Sequence, residues 1–320
     1  MPYTIFIKQL KPMTKNLHIE HPEDAVLTGD VSVLRWLRTP SQVSMKIDGA
    51  PAIVWGTNPE NGQFFVGTKS VFNKKKIMIC YTEDDISKYY PNTGDFSKQG
   101  RLWSILQCCL RHLPRTEGIY QGDFIGLGGG SVYTPNTITY DFGEEVQSSI
   151  IMAPHTEYLP SYPGAPINEH TAIPLTETLE SDQDVLFVQP TVDTFCHIGY
   201  IDALYSCYAD AKFLDEAAAK EVKVIINAFI REGKDIDEPG LLETIFGCEN
   251  LAHLYSGIIQ AKEDLMDGMI VYDDGPEAYI DDTQIDGEGY VRTNKYGMFK
   301  LVDRYQFAQA NFNNQKFRSN

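Results

Sequence analysis

Apolar positions recur at helical spacing over residues 31–38, Val31-Ser32-Val33-Leu34-Arg35-Trp36-Leu37-Arg38. The pattern stops before Pro40, whose ring disfavours helix in the preceding residue. Two apolar-rich runs follow, residues 42–47 and 52–55, on either side of Asp48-Gly49-Ala50-Pro51. They predict two strands joined by a turn, with a third strand at Phe64-Phe65-Val66. Residues 102–113 predict a buried helix, residues 119–125 return to strand, and short strands continue at 137–140, 149–152 and 185–188. From residue 202 to about 265 the chain turns helical, with the Ala-rich run Asp215-Glu216-Ala217-Ala218-Ala219-Lys220 and an amphipathic stretch over 222–230. Strands resume at 268–272 and 297–301. The pattern predicts an α+β fold of mainly antiparallel sheets flanked by helices, interrupted by a helical insertion.

Composition narrows the class. A chain of 320 residues can bury a substantial core without staples. No run approaches the roughly 18–20 apolar residues of a membrane span, and Met1-Pro2-Tyr3-Thr4-Ile5-Phe6 lacks the form of a secretion signal. A cytoplasmic protein with no membrane partner is expected. The six cysteines (Cys80, Cys108, Cys109, Cys196, Cys207, Cys248) include no C-x-x-C pair, and neither they nor the seven histidines suggest a zinc site. Cys196-His197 does not read as a nucleophile and base, because adjacent strand residues face opposite sides.

The net charge of −17 argues against a broad polyanion-binding surface. Net charge is not local charge, however. Lys69-Ser70-Val71-Phe72-Asn73-Lys74-Lys75-Lys76 is a basic segment in an acidic chain. With Arg292, Lys295, Lys300 and Arg304 it is expected to form one positive face, and Lys74 to Lys76 read equally well as a solvated loop. Gly126-Leu127-Gly128-Gly129-Gly130 has the composition of a phosphate cradle, but it opens no clear helix, so a loop is the better reading.

Lys46-Ile47-Asp48-Gly49 sits where a strand ends in a turn. Alone, it reads better as a surface β-turn than as a presented nucleophile. It is followed in order by Gly67-Thr68-Lys69-Ser70, Gln121-Gly122-Asp123, Asp267-Gly268-Met269-Ile270-Val271 and Phe299-Lys300-Leu301-Val302. Together these resemble the motif series of the covalent nucleotidyltransferases, the ATP-dependent DNA and RNA ligases and mRNA capping enzymes. The wording Lys46-Ile47-Asp48-Gly49-Ala50-Pro51-Ala52, followed by Gly67-Thr68-Lys69-Ser70-Val71-Phe72, looks most like the RNA-ligase-like proteins of large tailed bacteriophages. The resemblance covers most of the chain.

The resemblance implies a ligase-type nucleotidyltransferase core, described also as ATP-grasp-like, over residues 1–201 and 266–320. The last part would hold the final strands and a C-terminal helix, residues 202–265 the helical insertion, and no separate oligonucleotide-binding barrel is expected. Lys46 would be the nucleophile toward ATP, Asp48 would orient the site, and Gly49 would permit close backbone approach. Asp123 and Asp267 stand where relatives carry glutamates and would receive Mg2+, with Mn2+ as a substitute. Lys300 would neutralise phosphate charge, and Lys295 or Arg304 would compensate for Val302 at the second lysine of the last motif. Lys69 would meet ribose or phosphate, and Ile151 and His155 would line the adenine pocket. His155 reads equally as a structural histidine.

The implied activity is RNA ligation. Lys46 takes AMP from ATP, AMP passes to a 5′-phosphate end, and a 3′-hydroxyl displaces it. RNA ends are the expected partner, with nicked DNA as the alternative; for a viral protein the compartment would be the host cytoplasm. Related alternatives are DNA nick sealing and transfer of GMP to RNA ends. An alternative of another class is a nucleotide-binding or interaction protein that joins no strands. The sequence carries no signal of oligomeric state.

Overall fold

The computed structural model describes residues 19–92, 98–175, 177–194, 198–236, 240–272, 275–280 and 282–305. Cys196-His197 and any C-terminal helix beyond Tyr305 lie outside these residues. The chain begins with α1 (Pro22–Val26) and α2 (Ser32–Arg38), and α2 ends as read from Pro40, with Thr39 already extended. Strands β1 (Gln42–Met45), β2 (Ala52–Thr57) and β3 (Phe64–Gly67) follow. Next come α3 (Glu83–Tyr89), closed by a Thr82/Asp85 capping box, and α4 (Lys98–His112). Strands β4 (Ile119–Leu127), β5 (Val132–Tyr133), β6 (Thr139–Asp141), β7 (Ile150–Pro160), β8 (His170–Pro174), β9 (Val185–Phe187) and β10 (Val192–Thr194) lead into the helical block.

That block is α5 (Ile201–Asp210), α6 (Glu216–Arg231), α7 (Leu241–Phe246) and α8 (Glu249–Asp267). Asp215 caps α6 by accepting from the Ala218 N–H. The chain then returns to β11 (Met269–Val271), β12 (Glu277–Ile280), β13 (Thr283–Ile285), β14 (Tyr290–Asn294) and β15 (Gly297–Leu301). The fold is α+β with antiparallel sheets; β9 beside β7 pairs in parallel. No helix among the described residues is long and apolar enough to cross a membrane.

The largest sheet runs β3-β2-β4-β7-β8, with β9 on β7. Both of its faces are covered, which is why β2 reads as a continuous apolar run and not as an alternation. Ile53 and Trp55 pack with Ile105, Leu106 and Cys109 of α4, whereas Val54 packs with Phe65, Phe72 and Tyr158 on the other face. A second sheet, β13-β12-β6-β5, lies over the β7 end of the first, and the layer between them holds Ile47, Ile125, Ile138, Tyr140, Ile151 and Ile285. A third, β1-β14-β15, packs on the helices: Trp36, Tyr255, Ile258, Tyr290, Phe299 and Leu301 share one core. The helical block therefore shares its core with the sheet that carries β1.

Two expected members of the positive face are interior. Arg292 is buried, donates to the carbonyls of Trp36 (3.0 Å) and Thr39 (3.0 Å), and stacks on the Trp36 ring. It thus satisfies the open carbonyls at the end of α2. Arg304 donates to Glu23 (3.2 Å), Asp24 (2.9 Å), Tyr255 (3.1 Å) and Asn227 (2.9 Å), and Lys262 adds a second cation to Glu23 at 2.9 Å. Buried carboxylates need such partners, so neither arginine is available to a phosphate.

Next to this network, burial drives the His21 imidazole pKa down to about 2, with Arg304, Lys300 and Lys262 adding to the effect against Glu23. The folded protein therefore holds His21 neutral, while the unfolded chain protonates it near 6.5. This contribution to stability is complete above about pH 6.5 and is lost as pH falls from there toward 2, by up to about 1.4 kcal/mol per pH unit. Urea unfolding at pH 7.0, 6.0 and 5.0 should show that slope, and His21→Asn should flatten it. An identical slope in the variant would assign the acid sensitivity to other groups.

Candidate functional site

Lys46 follows the last residue of β1, and its backbone N–H donates to the Gly289 carbonyl at 2.8 Å. Ile47 turns into the layer between the first two sheets, so the alternation of an extended chain sends Lys46 and Asp48 the other way. The turn is held to β4 along its length. The Gly49 N–H reaches Asp123 Oδ2 at 3.4 Å, the Ala50 N–H reaches the Phe124 carbonyl at 3.0 Å, and the Phe124 N–H returns to the Pro51 carbonyl at 3.0 Å. A Cβ on residue 49 would stand 2.7 Å from the Phe124 carbonyl oxygen, so the close approach demands glycine.

The Lys46 ammonium contacts Asp48 Oδ1 at 3.3 Å and forms a short ion pair with Glu288 Oε2. Burial works against its charge, but Glu288, then Asp48 and Asp123 outweigh it and hold the ammonium above its ordinary range. Burial also pushes the Glu288 carboxyl up, and the Lys46 cation only partly offsets it. Lys300 on β15 pairs across to Val291, and burial followed by the like charge of Lys46 pulls it below its ordinary value. Lys46, Asp48, Glu288 and Lys300 are thus one electrostatic unit.

Asp123 pairs with Ala52 in the sheet and lies 3.8 Å from His155 Nε2. His155 is out of step with the ladder: Gln121 pairs with Thr156 and Gly122 with Pro154, leaving His155 as the extra residue of a bulge. Pro154 has no N–H to offer at that point, and a bulge re-aims the side chain beside it. Beside the lysine turn lies a cavity of about 360 Å³, bordered by Ser44, Met45, Ile47, His155, Thr191 and Val291.

Other expected residues stand elsewhere. Asp267 is the exposed last residue of α8 and borders a different cavity with Glu23, Lys262 and Arg304; no ion pair joins it to Lys46 among the described residues. It closes α8 just before the strand expected from residue 268, and that helix end sets it beside Glu23, Lys262 and Arg304 and not beside Lys46. Ile151 is fully buried among Ile125, Val188 and Ile285, so the part of β7 that faces the cavity is Ala153-Pro154-His155. Lys69 opens a short 3-10 helix after β3, exposed, at the same end of the large sheet as the lysine turn. Lys74, Lys75 and Lys76 follow it, also exposed, and Lys295 is exposed against Tyr296. The amides of Gly128, Gly129 and Gly130 are taken by Ser149, Val146 and Tyr133, so that segment is a closed turn with no donors left for a phosphate.

Glu288 is the residue that sequence reading missed. The signal was present: Glu288-Gly289-Tyr290-Val291 has the acid-glycine-apolar-apolar form of Asp267-Gly268-Met269-Ile270, and it opens a strand. Gly289 has a φ of +117°, and a Cβ there would stand 2.2 Å from the Leu301 carbonyl oxygen, so this glycine is required where the chain turns Glu288 toward Lys46.

Among curated proteins none matches this chain, and among solved structures none matches either. One family model matches residues 16–250 and 240–316, a span that holds β1, the lysine turn, Asp123, Glu288 and Lys300. On that match the chain belongs to the family described as "Family of unknown function (DUF6267)".

Proposed function

We propose that this protein is an ATP-dependent RNA ligase that works through a covalent Lys46-AMP intermediate on a ligase-type nucleotidyltransferase core. The observation that carries the reading is the lysine itself. It is held between Asp48 and Glu288, beside Lys300; the neighbouring cavity of about 360 Å³ is lined by Met45 and Ile47 on either side of it in sequence, and by His155, but not by Lys46 itself. Surface β-turn lysines do not need two carboxylates and a backbone anchor at both ends of the turn.

In the first step the Lys46 amine attacks the α-phosphorus of ATP; the N–P bond forms and the bond to pyrophosphate breaks. The ammonium must first lose a proton, and Glu288, already in contact and made more basic by burial, is the group to take it. Lys300 offsets charge on the phosphate, and the wall formed by Ala153, Pro154 and His155 is assigned to the base. Mg2+ would neutralise further phosphate charge. Asp123 is the carboxylate to hold it, and phosphate oxygens would supply most other ligands, since no group of three acidic, histidine or cysteine side chains converges among the described residues. Asp267, expected to receive Mg2+, lies at a different cavity and is given no part in this step; Glu288 enters it as the proton acceptor.

The direct test is incubation with Mg2+ and α-labelled ATP, followed by peptide mapping and by joining assays on RNA and on nicked DNA. Label on Lys46 that is absent in Lys46→Ala, with joining of RNA ends, is the expected result. Equal labelling in the variant would remove the reading, and labelling without joining would favour the nucleotide-binding alternative.

The burial of Arg292 and Arg304 leaves Lys69, Lys74, Lys75, Lys76 and Lys295 as the exposed members of the expected nucleic-acid docking surface. Replacing Lys74, Lys75 and Lys76 with alanine should leave Lys46 labelling intact. It should flatten the salt dependence of RNA binding, by roughly 0.7 in log-log slope for each phosphate no longer neutralised. An unchanged slope would move the docking surface elsewhere.

A further inference from the structure

Asp48 is gripped from a sheet other than its own. Its Oδ1 faces the Lys46 ammonium, while its Oδ2 accepts a short hydrogen bond from Asn136 Nδ2. Its backbone N–H donates to the Tyr140 hydroxyl at 2.8 Å. Asn136 lies between β5 and β6, and Tyr140 is a fully buried residue of β6, at the heart of the layer between the two sheets. The same four-stranded sheet ends at Ile285 of β13, three residues before Glu288. One small sheet therefore fixes Asp48 through two hydrogen bonds and leads directly to the other carboxylate that holds Lys46.

From this geometry we infer that Asn136 is a positioning residue for Lys46, acting through Asp48: by occupying Oδ2 it fixes the carboxylate's rotation and presents Oδ1 to the amine. An aspartate with both oxygens free can rotate about its Cβ–Cγ bond; an amide donor on one oxygen removes that freedom. Tyr140 fixes the backbone of the same residue but is too deep in the core to be a clean probe. Asn136 is only half-buried and can be replaced with less disturbance. The catalytic part of this inference rests on the proposed Lys46-AMP chemistry, so its test includes a measurement that needs no ATP.

Acylation of Lys46 by a small amine-reactive ester at neutral pH, read by peptide mapping against Lys74, Lys75 and Lys76 as internal standards, reports how firmly its ammonium is held. In Asn136→Ala, Asp48 is no longer aimed at the ammonium, so relative acylation should rise by about threefold or more. Asn136→Asp adds a carboxylate beside Asp48, and acylation should fall. ATP-dependent labelling of Lys46 should instead drop at least about tenfold in Asn136→Ala, because that step needs an aimed amine, while ATP affinity stays within about twofold. Asn136→Ser, which keeps a donor, should recover part of the labelling. Acylation unmoved in both Asn136→Ala and Asn136→Asp, with folding intact by circular dichroism, would overturn the inference. Acylation moving as expected in a protein that takes no label from ATP would sustain the positioning role and overturn the proposed function alone.

Discussion

Glu288→Ala should lower ATP-dependent labelling of Lys46 by about a hundredfold or more, the range for loss of a general base. Asp267→Ala should stay within about twofold of the parent protein. The contrast follows from contact: Glu288 is ion-paired with the lysine, whereas Asp267 borders a separate cavity. The sign of the Glu288 effect is informative in itself. Glu288 is the principal carboxylate holding the Lys46 ammonium above its ordinary range, so removing it also frees the amine. If Glu288 only damped the lysine, labelling would increase in the variant. A fall shows that taking the proton and aiming the amine outweigh the damping. Measuring initial labelling rates of Glu288→Ala, Glu288→Gln and Asp267→Ala side by side decides it, and a loss in Asp267→Ala as large as in Glu288→Ala would return Asp267 to the site with its expected metal role.

The second large effect is on stability. Arg304→Ala should cost about 3–5 kcal/mol, as expected when one partner of a buried ionic group is removed and the rest are left in place. Arg304 serves Glu23 and Asp24 on α1, Tyr255 on α8 and Asn227 on α6, so the loss leaves two buried carboxylates with Lys262 as the cation nearest to Glu23. Arg292→Ala is a useful companion. It removes the bonds to two backbone carbonyls and a ring contact, and it should cost less, about 2 kcal/mol. Urea unfolding of both variants provides the check. A cost below about 1 kcal/mol for Arg304→Ala would mean that the carboxylates find water in the folded state, and a strong effect of either arginine on the salt slope of RNA binding would contradict their interior placement.

Much of the secondary structure was legible because strong local patterns have few alternatives. Residues 297–301 form a strand as read, the helical stretch from 202 to about 265 is made of α5 to α8, and α2 ends where Pro40 requires. The reading failed where elements are short or where local pattern and tertiary context diverge. Strands β5, β12 and β13 are two to four residues long, too short for a period-2 signal, yet with β6, which the strand read at 137–140 overlaps, they build the sheet that anchors Asp48. The strand read at 149–152 continues to Pro160 through a bulge, because pairing with β4 and β8 carries the chain past Pro154.

The candidate site divides in the same way. Local pattern placed the lysine at the end of a strand in a turn, and the motif resemblance picked out Asp123 and Lys300, which stand on β4 and β15. Which distant acid meets the lysine, and which basic residues are free, depend on long-range packing. Asp267 and Glu288 both precede a glycine and apolar residues, but one ends a helix and the other enters β14 beside β1. Arg292, Arg304 and Lys74 are equally cationic in sequence. Burial among Trp36, Glu23 and Asp24 assigns the first two to the core, because a charge taken from water must find its partners there, and leaves Lys74 and its neighbours in solvent.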